Sequence, residues 1–350
     1  MSTITDVARL ANVSLSTVSN VINGTKPVSD ATRKKVEDAI RKVNFTPHSV
    51  AQSLRRGTTH SIGLVASDTS QFIFGQMVAR IEQEVRQWGH TLLIANSGED
   101  REQERKAVRV LLDRKVDGLV LAPAADSDPA VIEDCDRAGC PVVLIDRTTL
   151  ASRDQVGVQN RAAMRVLVEH LIALGHDRIA LVAGDVGVWT IRERVEGFRD
   201  AMEAADLVIG PGAIVETGRG LNDGRTVVEE LLRSRERPTA IVAASGLLTL
   251  GTLRALRATG IKYPRDVALV SFDGVMNSEF FESELTCTVQ PVDEIGAWAI
   301  RLLQRRMVEP SVSALTVMAR PSAFHGTSCG CEGRLEFGLD HLDEIVETEQ

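Results

Sequence analysis

Two hydrophobic rhythms meet near residue 60. Before it, apolar residues recur every three or four positions, the period of amphipathic helices; after it, short uninterrupted apolar runs alternate with such stretches. Thr3-Ile4-Thr5-Asp6 has a hydroxyl and a carboxylate at capping-box spacing, and Val7, Ala8, Leu10 and Ala11 follow it, which predicts a short first helix. Asn12-Val13 breaks that run. Ser14 then caps a second helix with Val18, Val21 and Ile22 on one face, stopped by Asn23-Gly24. Ser29 caps a third, with Val36, Ala39, Ile40 and Val43 inward and Arg33, Lys34, Lys35, Arg41 and Lys42 outward.

From Ser61 the runs Ile62 to Ala66, Thr91 to Ile94, Gly118 to Leu121 and Pro141 to Ile145 predict buried parallel strands, separated by helices over Gln76 to Trp88, Glu102 to Arg114 and Pro129 to Ala138. The pattern then restarts. Helices are predicted over Ala162 to Leu174, Arg192 to Ala204, Asp223 to Ser234 and Leu247 to Thr259, with strands over Ile179 to Val182, Ala240 to Ala243 and Ala268 to Phe272. This describes two doubly wound α/β lobes, with a small ligand expected at the carboxyl ends of their strands. Among enzyme signatures, no Gly-x-Gly-x-x-Gly follows the first strand, and there is no phosphate loop, Gly-x-Ser-x-Gly elbow or His-Glu-x-x-His. His170 and His176 read as surface or helix-end residues rather than bases, so no enzyme activity is expected.

Charge changes the picture of the first unit. The chain carries −8 overall, yet residues 1–60 hold nine Lys and Arg against four Asp and Glu, leaving +5 there and −13 on the remainder. A basic end can neutralise phosphates while an acidic body stays off the polyanion. With a tight turn between the first two helices, this is the helix-turn-helix plan that sets the second helix in the major groove of DNA. Leu15, Ser16 and Asn20 would face bases, and Ser14, Thr17 and Ser19 are small enough to let the backbone approach phosphates. Thr3, Thr5, Asn23, Lys26 and Thr32 complete the candidate DNA-contacting set. A helical bundle that merely packs on the body is the competing reading, which the basic excess disfavours. No apolar stretch approaches a membrane span and no secretory signal opens the chain, so a cytoplasmic location is expected. Cys135, Cys140, Cys287, Cys329 and Cys331 are scattered, and Cys329-Gly330-Cys331 lacks the two-residue spacer of common zinc and redox pairs; reduced thiols, no metal and no cofactor are expected.

Thr5-Asp6-Val7-Ala8-Arg9-Leu10-Ala11-Asn12-Val13-Ser14 and Ser16-Thr17-Val18-Ser19-Asn20-Val21-Ile22-Asn23-Gly24 resemble the headpiece signature of the lac/galactose repressor (LacI/GalR) family. The match continues through Asn44-Phe45-Thr46-Pro47, where the family usually has tyrosine at Phe45 and often asparagine at His48. Val116-Asp117-Gly118-Leu119, Ile145-Asp146-Arg147, Leu174-Gly175-His176-Asp177-Arg178-Ile179, Arg194-Val195-Glu196-Gly197-Phe198, Pro238-Thr239-Ala240 and Ser271-Phe272-Asp273-Gly274 extend the resemblance over nearly the whole chain to Ser322. It implies an all-α helix-turn-helix headpiece (1–46), a hinge helix and linker (47–60), a periplasmic-binding-protein-like two-lobed body (61–326) and an acidic tail (327–350). In the hinge it implies that Leu54 is an apolar wedge in the minor groove, that Ala51 packs on its dimer mate, and that Arg55 and Arg56 lie along phosphates or the groove floor. An amphipathic linker helix is the plainer reading of Leu54. In the body the resemblance implies an effector cleft lined by Ser67, Ile73, Phe74, Asp146, Arg194, Arg219, Ser245 and Asp273, with Arg194 as central anchor.

The chain departs from the family at Ser245-Gly246, where many relatives carry Asn-Asp, and at Arg219, where several carry an aromatic platform. Losing an amide and a carboxylate weakens neutral-sugar recognition and two arginines favour an anion, so a sugar acid or phosphorylated metabolite is the expected effector. One recognition helix per chain requires two copies on a pseudo-palindromic operator, hence a homodimer of a transcription regulator, with repression expected. Leu335, Leu339, Leu342 and Val346 have the spacing of a helical seam for tetramers, although a lone surface helix or frayed end fits under two heptads better. The rival class is a two-lobed sugar-binding protein without a DNA role; the basic headpiece speaks against it.

Overall fold

The computed structural model describes residues 3–23, 26–44, 58–150, 152–218, 220–274, 283–331 and 345–349. The chain divides into two compact units, residues 1–59 and 60–350. In the first, α1 (Ile4–Ala11), α2 (Leu15–Asn23) and α3 (Asp30–Val43) share a core of Val7, Ala8, Ala11, Val18, Val36 and Ala39. The predicted caps form. Thr3 Oγ1 accepts from the Asp6 amide while the Asp6 carboxylate accepts from the Thr3 amide at 2.9 Å. Ser14 Oγ and Ser29 Oγ accept from the amides of Thr17 and Thr32. Asn12 and Asn44 close α1 and α3 at φ 52° and 49°, a left-handed geometry that asparagine tolerates.

The second unit begins with β1 (Ser61–Ala66), α4 (Phe72–Gln87), β2 (Thr91–Asn96), α5 (Arg101–Asp113), β3 (Gly118–Leu121), α6 (Ala130–Ala138), β4 (Val142–Asp146) and β5 (Gln155–Val158). A second lobe follows with α7 (Asn160–Ala173), β6 (Ile179–Gly184), α8 (Trp189–Ala204), β7 (Ile214–Glu216), α9 (Leu221–Arg233), β8 (Ala240–Ala243), α10 (Gly246–Thr259), β9 (Ala268–Phe272) and β10 (Thr286–Val289). The chain then returns. α11 (Val292–Val308) and β11 (Leu315–Ala319) belong to the first lobe, β12 (Ser322–Phe324) to the second, and β13 (Ile345–Glu349) to the first again. The sheet orders are β13-β11-β5-β4-β3-β1-β2 and β12-β10-β9-β8-β6-β7. Pairing is parallel except where β12 meets β10 and β13 meets β11. Uninterrupted apolar strands such as β1, β3, β4, β6, β8 and β9 are buried because helices cover both faces of a parallel sheet.

Three corrections to the sequence reading emerge. β2 is an edge strand, and its Ile94 is half exposed rather than buried. The lobes are not consecutive halves of the body: β11 pairs with β5 across 161 positions, Thr316 opposite Gln155, and the buried Gln155 amide donates to Thr316 Oγ1 at 2.9 Å. Val346, expected in a lone surface helix or frayed end with a helical seam as the alternative, lies in a strand opposite Met318, because the open edge of β11 offers unpaired backbone groups to it. Leu335, Leu339 and Leu342 lie outside the described residues. Among the described residues no helix is long and apolar enough to cross a membrane.

Candidate functional site

The basic unit presents one end of α2 to solvent. Ser14, Leu15 and Ser16 are exposed, as are Thr3, Thr5 and Lys26, while Thr17, Ser19, Asn20 and Thr32 are half-buried. Asn23 ends α2. Ala51, Leu54 and Arg55 lie outside the described residues. Ser14 Oγ sits 2.7 Å from Ser16 Oγ and 2.8 Å from Thr17 Oγ1, so these hydroxyls form a cluster at the positive end of the helix dipole. Leu15 stands beside them with 49% of its surface exposed, an apolar group suited to a thymine methyl. Arg33, Lys34, Lys35, Arg41 and Lys42 are all exposed on α3.

In the body, a cavity of about 60 Å³ lies at the carboxyl ends of the strands and takes residues from both lobes. Ile73 and Phe74 come from the first turn of α4, Asp146 from the end of β4, Arg194 from α8, Ser245 from the cap of α10 and Asp273 from the residue after β9. Six of the eight expected effector residues therefore share one cavity. Ser67 does not line it; it is fully buried behind the end of β1, where its carbonyl accepts from the Glu99 amide at 2.7 Å. Arg219 lies outside the described residues. Asp146 and Asp273 occupy matching places in the two lobes and both have φ 68°, strained backbone that turns the chain sharply at the strand end. The helix starts predicted too late, in α4 and α8, have one cause. Their first turns carry Ile73, Phe74, Thr190 and Ile191 toward the cavity, which interrupts the outward polar pattern of a surface helix.

Arg194 is the hub. Its Nε donates to Asn160 Oδ1 at 2.9 Å, one terminal nitrogen donates to the Ala244 carbonyl at 2.7 Å and lies 3.7 Å from Asp273 Oδ2, and its guanidinium stacks 3.7 Å over the Phe272 ring. Gln290 donates to both oxygens of Asp273 at 2.8 and 3.0 Å. Three further charged residues that line the cavity were not predicted, Glu99, Arg147 and Asp185. Arg147 is buried, pairs with the Glu99 carboxylate through both terminal nitrogens and donates to the Pro123 carbonyl. Arg147 belongs to a recognised landmark, Ile145-Asp146-Arg147, and so was open to discovery; Glu99 sits in a loop 48 positions away with no local signal. His170, read as a surface or helix-end residue, is buried in the last turn of α7, where burial pushes its imidazolium down to about 4. His176 is half-buried, with Nδ1 3.0 Å from Thr239 Oγ1.

Burial raises the carboxyls of Asp146 and Asp273 above the usual aspartate value of 3.8, against the opposing pull of Arg147 and Arg194 on the first and of Arg194 and Gln290 on the second. The folded protein thus holds these protons more tightly than the unfolded chain. The resulting stabilisation is fully present below pH 3.8 and is lost as pH rises through the folded-state values. Asp273→Asn should flatten that decline in a plot of melting temperature against pH; an unchanged slope would rule Asp273 out as its source.

A basic helix-turn-helix unit joined to a two-lobed α/β body with a charged cavity at its strand ends defines a ligand-responsive DNA-binding regulator. The family described as "Bacterial regulatory proteins, lacI family" matches residues 3–48, and "Periplasmic binding proteins and sugar binding domain of LacI family" matches residues 59–314. The chain is 31% identical over 307 residues to the HTH-type transcriptional repressor PurR of Haemophilus influenzae (strain PittEE), covering 88% of this chain and 91% of that protein. It is 30% identical over 323 residues to the ribose operon repressor of Haemophilus influenzae (strain ATCC 51907 / DSM 11121 / KW20 / Rd), covering 92% and 97%. Its structure resembles the Lac repressor dimer bound to operator and the anti-inducer ONPF, with a TM-score of 0.82, 28% identity and coverage of 94% and 99%. The chain belongs to the LacI family of bacterial regulatory proteins and is a DNA-binding transcriptional regulator controlled by a small molecule.

Proposed function

We propose that the protein acts in the cytoplasm as a homodimeric repressor on a pseudo-palindromic operator, and that an uncharged polyhydroxylated metabolite in the inter-lobe cavity sets its operator affinity. Each subunit lays α2 in a major groove with Leu15, Ser16 and Asn20 toward the bases, and the segment 47–56 brings Leu54, Ala51 and Arg55 to the minor groove at the operator centre. Thr3, Thr5, Ser14, Thr17, Ser19, Asn23, Lys26 and Thr32 contact the backbone. The Lac repressor was crystallised as an operator-bound dimer, which supports this arrangement.

The observation that carries the effector class is the charge balance of the cavity. Among the described residues, Glu99, Asp146, Asp185 and Asp273 line it against Arg147 and Arg194, and both arginines already have carboxylate partners. An anion entering there meets net negative charge from these residues, which favours a neutral ligand over the sugar acid or phosphate expected from Arg194 and Arg219. Aspartates and an arginine fork grip vicinal hydroxyls from two sides, and the ribose operon repressor is among the relatives. At about 60 Å³ the cavity is well below the roughly 300 Å³ at the low end of small-molecule pockets. The lobes must therefore part to admit the effector, and this movement couples the cavity to DNA.

Operator binding should weaken steeply with salt, and deletion of residues 1–60 should remove it. Calorimetry against neutral pentoses and hexoses and the matching aldonates and sugar phosphates tests the effector. Binding of a neutral sugar, with its acid at least about tenfold weaker, is expected; tighter binding of the anion sinks the neutral-ligand reading while leaving the operator result untouched.

A further inference from the structure

We propose that His170, His325, Cys329 and Cys331 form a closed zinc site that fastens the carboxyl end of α7 to the chain following β12. Their ligand atoms all lie within 4.8 Å of one another. Cys329 Sγ is 3.4 Å from Cys331 Sγ and 3.6 Å from His325 Nε2, and Cys331 Sγ is 2.7 Å from that same nitrogen. Zinc bound at about 2.3 Å to sulfur and about 2.0–2.1 Å to nitrogen holds tetrahedral ligand atoms roughly 3.3–3.8 Å apart. Two of these three separations already fall in or near that range, and only the Cys331–His325 pair must open. The two imidazoles stand edge to face, with centroids 5.3 Å apart.

The surroundings hold the four side chains together independently of an ion. Ser328 Oγ donates to the Leu269 carbonyl at 2.6 Å and accepts from the Thr286 amide at 2.8 Å, which anchors the ligand-bearing segment to β9 and β10. The Thr286 hydroxyl lies 3.0 Å from the Gly326 carbonyl and 3.2 Å from Cys329 Sγ, where it can donate to a thiolate. Gly330 has φ +84°, the left-handed turn that brings the second thiol of a Cys-x-Cys pair back beside the first. Cys329 and His170 are buried, whereas Cys331 and His325 are partly open and provide the entry path.

Four protein ligands leave zinc no open position, the arrangement of a structural site rather than a catalytic one. The cluster also stands apart from the effector cavity. Asn160, which touches Arg194, begins α7, and His170 lies ten residues further along, about 15 Å at the α-helical rise. Binding replaces the two thiol protons, which leave to solvent, and takes one lone pair from each imidazole; no oxidant or reductant takes part.

The full-length protein, purified without chelators and dialysed against zinc, should retain about one zinc per chain by mass spectrometry. Cobalt(II) in its place should give thiolate-to-metal charge transfer and the intense visible bands of a tetrahedral centre. Chelation should lower the melting temperature of the parent protein but not of Cys331→Ser. His325→Ala should also lose the metal, and because both residues are only half-buried these variants test the site without opening the core. Zinc below a tenth of an equivalent, a six-coordinate cobalt spectrum, or a Cys329–Cys331 disulfide in place of bound metal overturns the proposal.

Discussion

Arg194→Ala is expected to leave operator binding insensitive to effector and to destabilise the body by about 3–5 kcal/mol, because it strands the mostly buried Asp273 carboxylate without its cation. Charge-assisted hydrogen bonds contribute about 1.5–3 kcal/mol each, so losing the two-pronged grip should weaken the effector at least about 100-fold. Arg194→Lys separates the two effects. It keeps a positive charge beside Asp273 and should recover part of the stability, but an ammonium cannot reproduce the fork, so the effector response should stay absent. Urea unfolding and operator titrations with and without effector measure both quantities. A lysine variant with full effector response would remove Arg194 from its central role.

Gly197→Ala should be the most damaging of the small substitutions. A Cβ on Gly197 would stand 2.1 Å from the Arg161 carbonyl oxygen and 3.1 Å from the Arg165 amide nitrogen, so only separation of α7 from α8 makes room. Overpacking typically costs about 1–3 kcal/mol, and a clash against backbone belongs at or above the top of that range. Gly75→Ala supplies a control of opposite sign. It lies within α4 with nothing within 4 Å of its would-be Cβ, and alanine there should stabilise by about 0.5–1 kcal/mol. Chemical denaturation of both variants reads the contrast; equal midpoints would show that α7 and α8 are not locked as the structure describes.

The helices of the headpiece and the apolar strands of both lobes were legible because their signals are local: a cap, a face, an unbroken run. β5 and β10 were missed for the opposite reason. Gln155-Val156-Gly157-Val158 and Thr286-Cys287-Thr288-Val289 carry polar side chains whose partners, such as Thr316 for Gln155 and the Gly326 carbonyl for Thr286, lie far along the chain. No window of neighbouring residues records such pairings. Most of the cavity was legible through resemblance, Asp146, Arg194 and Asp273 above all, while Asp185 and the Glu99–Arg147 pair were not. The Cys-x-Cys pair looked incomplete for a similar reason. One histidine that completes the cluster sits four positions before Cys329, and the other is on a helix of a different part of the fold.

The return of the chain to its first lobe has a consequence for how the protein is made. The first sheet receives β11 only after residue 319 has been synthesised, and the buried Asp154 carboxylate waits as long for Arg305, Arg306 and the Leu315 amide. An emerging chain that has already produced every residue from 61 to 158 still lacks a strand and a covering helix of that lobe, so ribosome-bound fragments ending before Leu315 should be open to protease. Neither lobe is an independent cassette, and the body must acquire its stability late and in one step, as a pair.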